Sequence, residues 1–249
     1  MIFPRKRFKR ILVLSSFWAG AFCAASVSVS GQTEVLNYQV EWRFMTAGKV
    51  KVTVNKNVSA ANGKLEVQSL GIVSMLFKVN ENYEAVWRPD FCAQSTHLFS
   101  EENKRRRETT ILYNGPGNKT QFVEKDLVKN TTISNSVAVP ACVADVLGGL
   151  QKLRALKLTP GTSSQIPISD GKKFVEVKVD VQEKEDVKTA IGTYKTVRME
   201  AFLFNGVLYD RAARCLVWVT DDEKRIPVKI QILMRLHIGT VTLLLDQPV

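Results

Sequence analysis

Hydrophobic residues in this chain recur at every second position, and that spacing constrains the fold more than any other feature. Leu36, Tyr38, Val40, Trp42 and Phe44 alternate with Asn37, Gln39, Glu41 and Arg43. Val50, Val52 and Val54 alternate with Lys49, Lys51 and Thr53. Val175, Val177, Val179 and Val181 alternate with Glu176, Lys178 and Asp180. Ile226, Val228, Ile230 and Ile232 follow the same pattern around Lys229 and Gln231. Each segment is a strand with one face in a core and one in water. Such alternation points to antiparallel pairing, because strands of a doubly wound parallel sheet are apolar on both faces. Asn62-Gly63, Asn114-Gly115, Asp170-Gly171 and Asn205-Gly206 stand between strand-like runs and tolerate the positive φ of tight hairpins. Asp221 to Lys224 supplies another polar turn. The spacing predicts about a dozen strands joined by short links.

One segment breaks the period. After Pro140, the residues Val143, Val146, Leu147, Leu150, Leu153 and Leu156 recur every three or four positions, the apolar stripe of a helix near residues 141–157. Asp145 near its start and Arg154 near its end suit the helix dipole. Gly148 and Gly149 each cost about 1 kcal/mol against alanine, which points to close packing against a sheet. Pro160-Gly161 ends the segment. The helix divides the β pattern near residues 32–135 and 162–247, and no Pro-, Gly- or Ser-rich linker separates the parts. Residues 31–249 therefore read as a single mainly β domain. Its expected form is a large antiparallel curved or barrel-like sheet with one central amphipathic helix, a two-sheet sandwich being the alternative. No repeat of solenoid period is present.

The 249 residues carry 35 Lys and Arg against 24 Asp and Glu, and are 45% hydrophobic and 24% charged. That is globular composition, outside the disordered and low-complexity classes. The net charge of +11 is concentrated at the start: Arg5, Lys6, Arg7, Lys9 and Arg10 precede an uncharged stretch from Ile11 to Ala25. Ser26, Ser28 and Ser30 then alternate as a leader-peptidase site requires, so residues 1–30 read as a secretory signal peptide. An uncleaved anchor from Ile11 to Val29 is disfavoured by its serines. A lipid-modified Cys23 is disfavoured by Phe22 before it. Cleavage after Ser30 would leave a charge of +6 (11 − 5) on an exported, periplasmic or secreted protein. Membrane association would then not depend on a retained transmembrane helix, and nucleic acid is not an expected partner.

Export leaves Cys92, Cys142 and Cys215 in a compartment that permits disulfides. Three pairings are open. Cys92–Cys142 is favoured because Cys215 lies in the apolar run Cys215-Leu216-Val217-Trp218-Val219, and three buried free thiols are the rival. The two histidines, His97 and His237, belong to no metal-binding spacing. A Cys215–His237 nucleophile pair has no third group to orient it. No nucleophile-elbow, phosphate-loop or dinucleotide-binding glycine pattern occurs. Asp221-Asp222-Glu223 lacks the spaced oxygens of a calcium loop. Lys104-Arg105-Arg106-Arg107, flanked by Glu101, Glu102 and Glu108, reads as a salt-linked surface patch. Asn57-Val58-Ser59, Asn118-Lys119-Thr120 and Asn130-Thr131-Thr132 would be glycosylated only in a eukaryotic pathway. No metal or cofactor is expected.

Three segments resemble one family of exported bacterial proteins, the domain of unknown function 3108. They are Leu36 to Trp42 with Ala47-Gly48-Lys49-Val50; Asp145 to Arg154 with Leu158-Thr159-Pro160-Gly161; and Val217 to Val228 with Gly239-Thr240-Val241. The resemblance implies an exported, mainly antiparallel protein and no particular reaction. Its matching positions are Asp145, Arg154, Trp218, Asp222 and Arg225, expected to tie the helix and the late hairpin to the sheet. The expected function is non-enzymatic binding of an apolar or amphipathic ligand, such as a lipid. The rivals are an envelope assembly factor acting through protein contacts and a hydrolase built from Asp145, Asp222, His97 or His237.

Overall fold

The computed structural model describes residues 31–234 and 239–247. The leader expected over residues 1–30, with Cys23, and His237 lie outside the described residues. In chain order the strands are β1 (Gln32–Trp42), β2 (Met45–Lys56) and β3 (Ala61–Ser69), then helix α1 (Gly71–Leu76). There follow β4 (Val79–Trp87), β5 (Ala93–Glu102), β6 (Arg105–Gly115), β7 (Lys119–Asp126) and β8 (Thr131–Asn135). Helix α2 (Val146–Arg154) precedes β9 (Ser163–Ser169), β10 (Phe174–Thr189), β11 (Gly192–Ala201), β12 (Ala213–Thr220), β13 (Pro227–Met234) and β14 (Thr240–Leu245). No helix among the described residues is long and apolar enough to cross a membrane.

Among the described residues, fourteen strands form one antiparallel sheet in the order β8-β7-β6-β5-β4-β3-β2-β1-β14-β13-β12-β11-β10-β9. It consists of two meanders joined where the first strand pairs with the last, Tyr38 opposite Leu245 and Trp42 opposite Val241. The outermost strands β8 and β9 do not pair, so the sheet curls without closing into a barrel. The curl brings the β9–β10 turn onto β6 and β7. There the Tyr113 hydroxyl donates to the Ser169 carbonyl at 3.2 Å, and that of Thr120 to the Gly171 carbonyl at 3.0 Å. Between β5 and β9 the chain at Val143-Ala144 fills the seam: Ala93 N–H donates to Val143 O at 2.8 Å, and Ala144 forms a parallel bridge to Ile168.

Helix α2 packs across the concave side on β9, β3 and β4. Leu147 belongs to the core beneath the first meander, Leu153 to that beneath the second, and Leu150 touches both. The single curved sheet excludes the sandwich. The helix is shorter than the 141–157 expected, because Asp145 caps it and residues 141–144 are committed to the seam. Two of the four dipeptides expected in turns lie elsewhere. Asn62-Gly63 is inside β3, where a Cβ on Gly63 would lie 2.1 Å from Trp87 Cη2, so the glycine makes room for a distant tryptophan. Asn114-Gly115 ends β6. Helix α1 had no counterpart among the expected elements.

Candidate functional site

The sequence-selected polar residues anchor the helix at both ends. Asp145 is fully buried and caps α2 by accepting from Gly148 N–H. It also accepts from the Tyr83 hydroxyl at 2.9 Å and from Trp87 Nε1 at 3.0 Å. Burial pushes its carboxyl above the usual range, while these three donors act in the opposite direction. A Cβ on Gly148 would stand 2.7 Å from Asp145 Oδ1, and one on Gly149 2.7 Å from Ile168 Cδ1, so both glycines permit the close approach.

At the other end Arg154 forms a two-pronged ion pair with Glu34, at 2.6 and 2.8 Å, linking the helix to β1. Its Nε and Nη2 donate to the carbonyls of Arg225 (2.8 Å) and Lys224 (3.0 Å). Arg225 reciprocates through Nη1 to the carbonyls of Arg154 (2.9 Å) and Leu156 (2.6 Å). Asp222 shapes this hairpin by accepting from the Thr220 hydroxyl and from the Lys224 and Arg225 amides. Burial acts to raise its carboxyl, but these donors outweigh burial and hold it below the usual range. Trp218 stands apart on β12, donating through Nε1 to Glu185 at 2.7 Å beneath the Lys229 ammonium, 4.2 Å from the ring centre. Arg154 and Asp221 to Arg225 border an open cleft of about 1470 Å³ beside Gly31, where the described chain begins.

The helix and the sheet leave a second, more enclosed space. It has a volume of about 760 Å³ and is walled by Val50 and Val52 of β2, Val177 and Val179 of β10, Ile230 and Ile232 of β13, and the α2 leucines. The loop between β11 and β12 contributes Leu203, Phe204, Tyr209, Asp210 and Arg211. Few polar groups reach this chamber. The Tyr38 hydroxyl is already committed to Pro227 O at 2.8 Å. Burial pushes both the Tyr209 hydroxyl and the Cys215 thiol up to about 12. Glu81 is the notable exception: burial first, then the charge of Glu102, raises its carboxyl above the usual range, and Ser100 donates to it at 3.2 Å. Sequence reading passed over Glu81. The signal was present in β4, where Val79, Glu81, Tyr83, Ala85 and Trp87 share a parity, placing a carboxylate on the inner face.

Among the described residues, the hydrolase candidates Asp145, Asp222 and His97 stand on separate parts of the fold. Asp145 lies under the helix and Asp222 in the β12–β13 turn. His97 pairs at 3.0 Å with the half-exposed Glu108 on the β5–β6 surface. Cys92 and Cys142 are joined, with Cα atoms 4.9 Å apart, and Cys215 is a buried free thiol. Asp90 lies beside the joined pair, but sulfurs bonded to each other offer no thiolate to a metal. Lys152 Nζ covers them, 3.3 Å from Cys142 Sγ and 3.0 Å from Asp90 O. Arg107 pairs with Glu102 at 3.2 Å, whereas Lys104, Arg105 and Arg106 are exposed around the β5–β6 turn.

The family model described as "Protein of unknown function (DUF3108)" matches residues 37–246. No curated protein matches the chain. Among solved structures, a beta-barrel-like protein of domain of unknown function DUF1849 from Brucella abortus is similar, with 7% identity and a TM-score of 0.45 over 86% of this chain and 95% of its own. A DUF1089 family protein from Pseudomonas aeruginosa shares 12% identity at a TM-score of 0.27, over 96% of this chain and 97% of its own.

Proposed function

The chain belongs to the DUF3108 family, and from that premise we propose that it is an exported protein that binds an apolar or amphipathic ligand inside its curved sheet. The observation that supports this most is the chamber of about 760 Å³, walled by aliphatic side chains of both meanders and of α2. Ligand sites commonly occupy roughly 300–1,000 Å³ and combine apolar walls with a few placed polar groups. Here those groups are Glu81, Tyr209 and, in the β11–β12 loop, Asp210 and Arg211. A hydrocarbon chain suits the aliphatic wall. A carboxyl of raised pKa at Glu81 suits a hydroxyl or amide on the ligand better than an anionic head.

Titration with the apolar dye N-phenyl-1-naphthylamine, which brightens when removed from water, tests the proposal. Saturable brightening that a long-chain alcohol reverses is expected. Ala201→Phe, which extends a ring into the chamber from a wall position, should abolish it while the fold melts as before. No brightening, or equal brightening in the variant, would refute the reading.

A second reading rests on β8. Its five residues are exposed throughout and it forms one outer edge of the sheet, a place where a strand of a partner protein can add. Loss of a partner on Ile133→Pro, with dye uptake retained, would favour this assembly role.

A further inference from the structure

Large exposed hydrophobic residues are distributed unequally between the two ends of the sheet. The strand directions place the β1–β2 turn, α1, the β5–β6 turn and the β7–β8 turn at one end. Phe44 and Met45 project from the first, Ile72, Met75, Leu76 and Phe77 from the second, and Leu127 and Val128 from the last. Phe44 is completely exposed, Met75 is 78% exposed and Val128 59%. Among the described residues, the turns at the opposite end offer only Val58 of this kind, and Val35, Val86 and Leu112 are exposed to a lesser degree on strands towards that end.

These turns form one continuous surface. Trp42 and Phe77 meet edge to face at 5.9 Å, and Leu70 N–H donates to Ala47 O at 2.8 Å. The C-terminal end of α1 is tied to the β5–β6 turn: Lys78 N–H donates to Asn103 Oδ1 at 2.8 Å, and Asn103 N–H to Lys78 O at 2.9 Å. The β7–β8 turn joins through Leu127 N–H to Arg106 O, 2.8 Å. Lys78, Lys104, Arg105, Arg106 and Lys129 accompany the apolar tips, with Glu101, Glu102 and Asp126 among them. Lys78 is paired with Glu101 at 2.9 Å, whereas at the opposite end the acidic Asp221-Asp222-Glu223 is followed directly by Lys224 and Arg225.

We propose that this end of the sheet docks on an anionic lipid bilayer, its apolar turns entering the headgroup layer and its basic residues meeting the lipid phosphates. Apolar side chains ringed by Lys and Arg are the composition that holds proteins at such interfaces. Around the tips five basic residues stand against three acidic ones, and Lys104, Arg105 and Arg106 are exposed beside the apolar side chains, the complement of an anionic lipid surface. The chamber bears on the same end. It is walled by Val50 and Val52 but not Val54, by Glu81 and Tyr83 but not Trp87, and by Ile230 and Ile232 but not Val228. In each strand these are the residues nearer the basic, apolar turns. Docking itself does not depend on what the chamber holds.

Flotation with vesicles tests this, using the chain from Gly31, which holds all fourteen strands. It should float with phosphatidylcholine vesicles containing phosphatidylglycerol and much less with phosphatidylcholine alone. Phe44→Ser with Leu76→Ser should weaken binding at least tenfold. Lys104→Gln, Arg105→Gln and Arg106→Gln together should weaken it on the order of a hundredfold at low salt, since each charge near such a surface contributes about fivefold. That difference should shrink as salt is added. The substituted side chains are exposed, and unchanged melting and dye uptake in the variants separate failure here from failure of the chamber reading. Absence of flotation, or flotation equal in wild type and variants, would overturn the proposal. So would a dimer in light scattering that Phe44→Ser with Leu76→Ser converts to monomer, because the turns would then cover a second copy of the chain.

Discussion

Removing the Asp145 carboxylate should unfasten the helix from the sheet. In Asp145→Ala, Trp87 Nε1 and Gly148 N–H lose their acceptor in a region without solvent, as Asp145 and Trp87 are each 0% exposed. A buried donor left unpaired costs about 1–3 kcal/mol. Two of them, less the relief of no longer burying a charge, amount to roughly 3–4 kcal/mol. The Tyr83 hydroxyl can turn towards the chamber and adds little. For a chain of this size each kcal/mol moves Tm by about 2–4 °C, so a fall of about 6–15 °C is expected. Asp145→Asn retains one acceptor oxygen and should cost about 1–2 kcal/mol. Urea unfolding followed by tryptophan fluorescence reads both values, with the m-value expected to stay constant. A cost below about 1 kcal/mol for Asp145→Ala, within the range of ordinary surface changes, would refute the reasoning. Equal costs for alanine and asparagine would refute it as well.

Other expectations follow from the same contacts. Replacing Arg154 by lysine keeps the charge but loses the two-pronged grip on Glu34 and the carbonyl bonds, and should cost about 1–3 kcal/mol by urea unfolding; a neutral result would mean the clasp is dispensable. Glu81 has its carboxyl raised by burial and by Glu102, so its favourable contribution is present at low pH and is lost as pH rises past 4.5. Glu81→Gln should therefore gain stability relative to wild type as pH rises from there, and a gap that does not change with pH would contradict this. Non-reducing peptide mapping should recover a Cys92–Cys142 cross-link, and Cys142→Ser should cost about 4 kcal/mol for a loop of 50 residues. Alkylation of all three thiols after unfolding without reductant would exclude the pairing.

The period of two in residues such as Val175 to Val181 was sufficient to read strands, antiparallel pairing and the core face, because it records a local demand of the pleat. The α2 stripe was legible for the same reason, and the helix-weakening Gly148 and Gly149 pointed to close packing without showing that Trp87 and Ile168 are what they admit. What escaped the sequence depends on distant neighbours. Gly63 resembles a turn residue until Trp87 packs over it from another strand. The pairing of β1 with β14 joins the two ends of the sheet's sequence and has no local signature. Helix α1, with six residues and no side-chain cap, is too short to show a period. Glu81 was visible as a carboxylate at an inward position, but its importance depends on a chamber that only the curvature of the whole sheet creates. Asp145, Arg154, Asp222 and Arg225 came from the family resemblance as ties of the helix and late hairpin; their division into a buried cap and a reciprocal arginine clasp follows from the crossing of α2 over the sheet.

The most direct test of ligand binding is native mass spectrometry of the protein isolated without denaturation from the cells that make it. A reproducible added mass that organic extraction removes, and that Ala201→Phe lacks, is the expected result. A bare chain in both wild type and variant, in preparations that retain lipid on other carriers, would contradict the proposed role of the chamber.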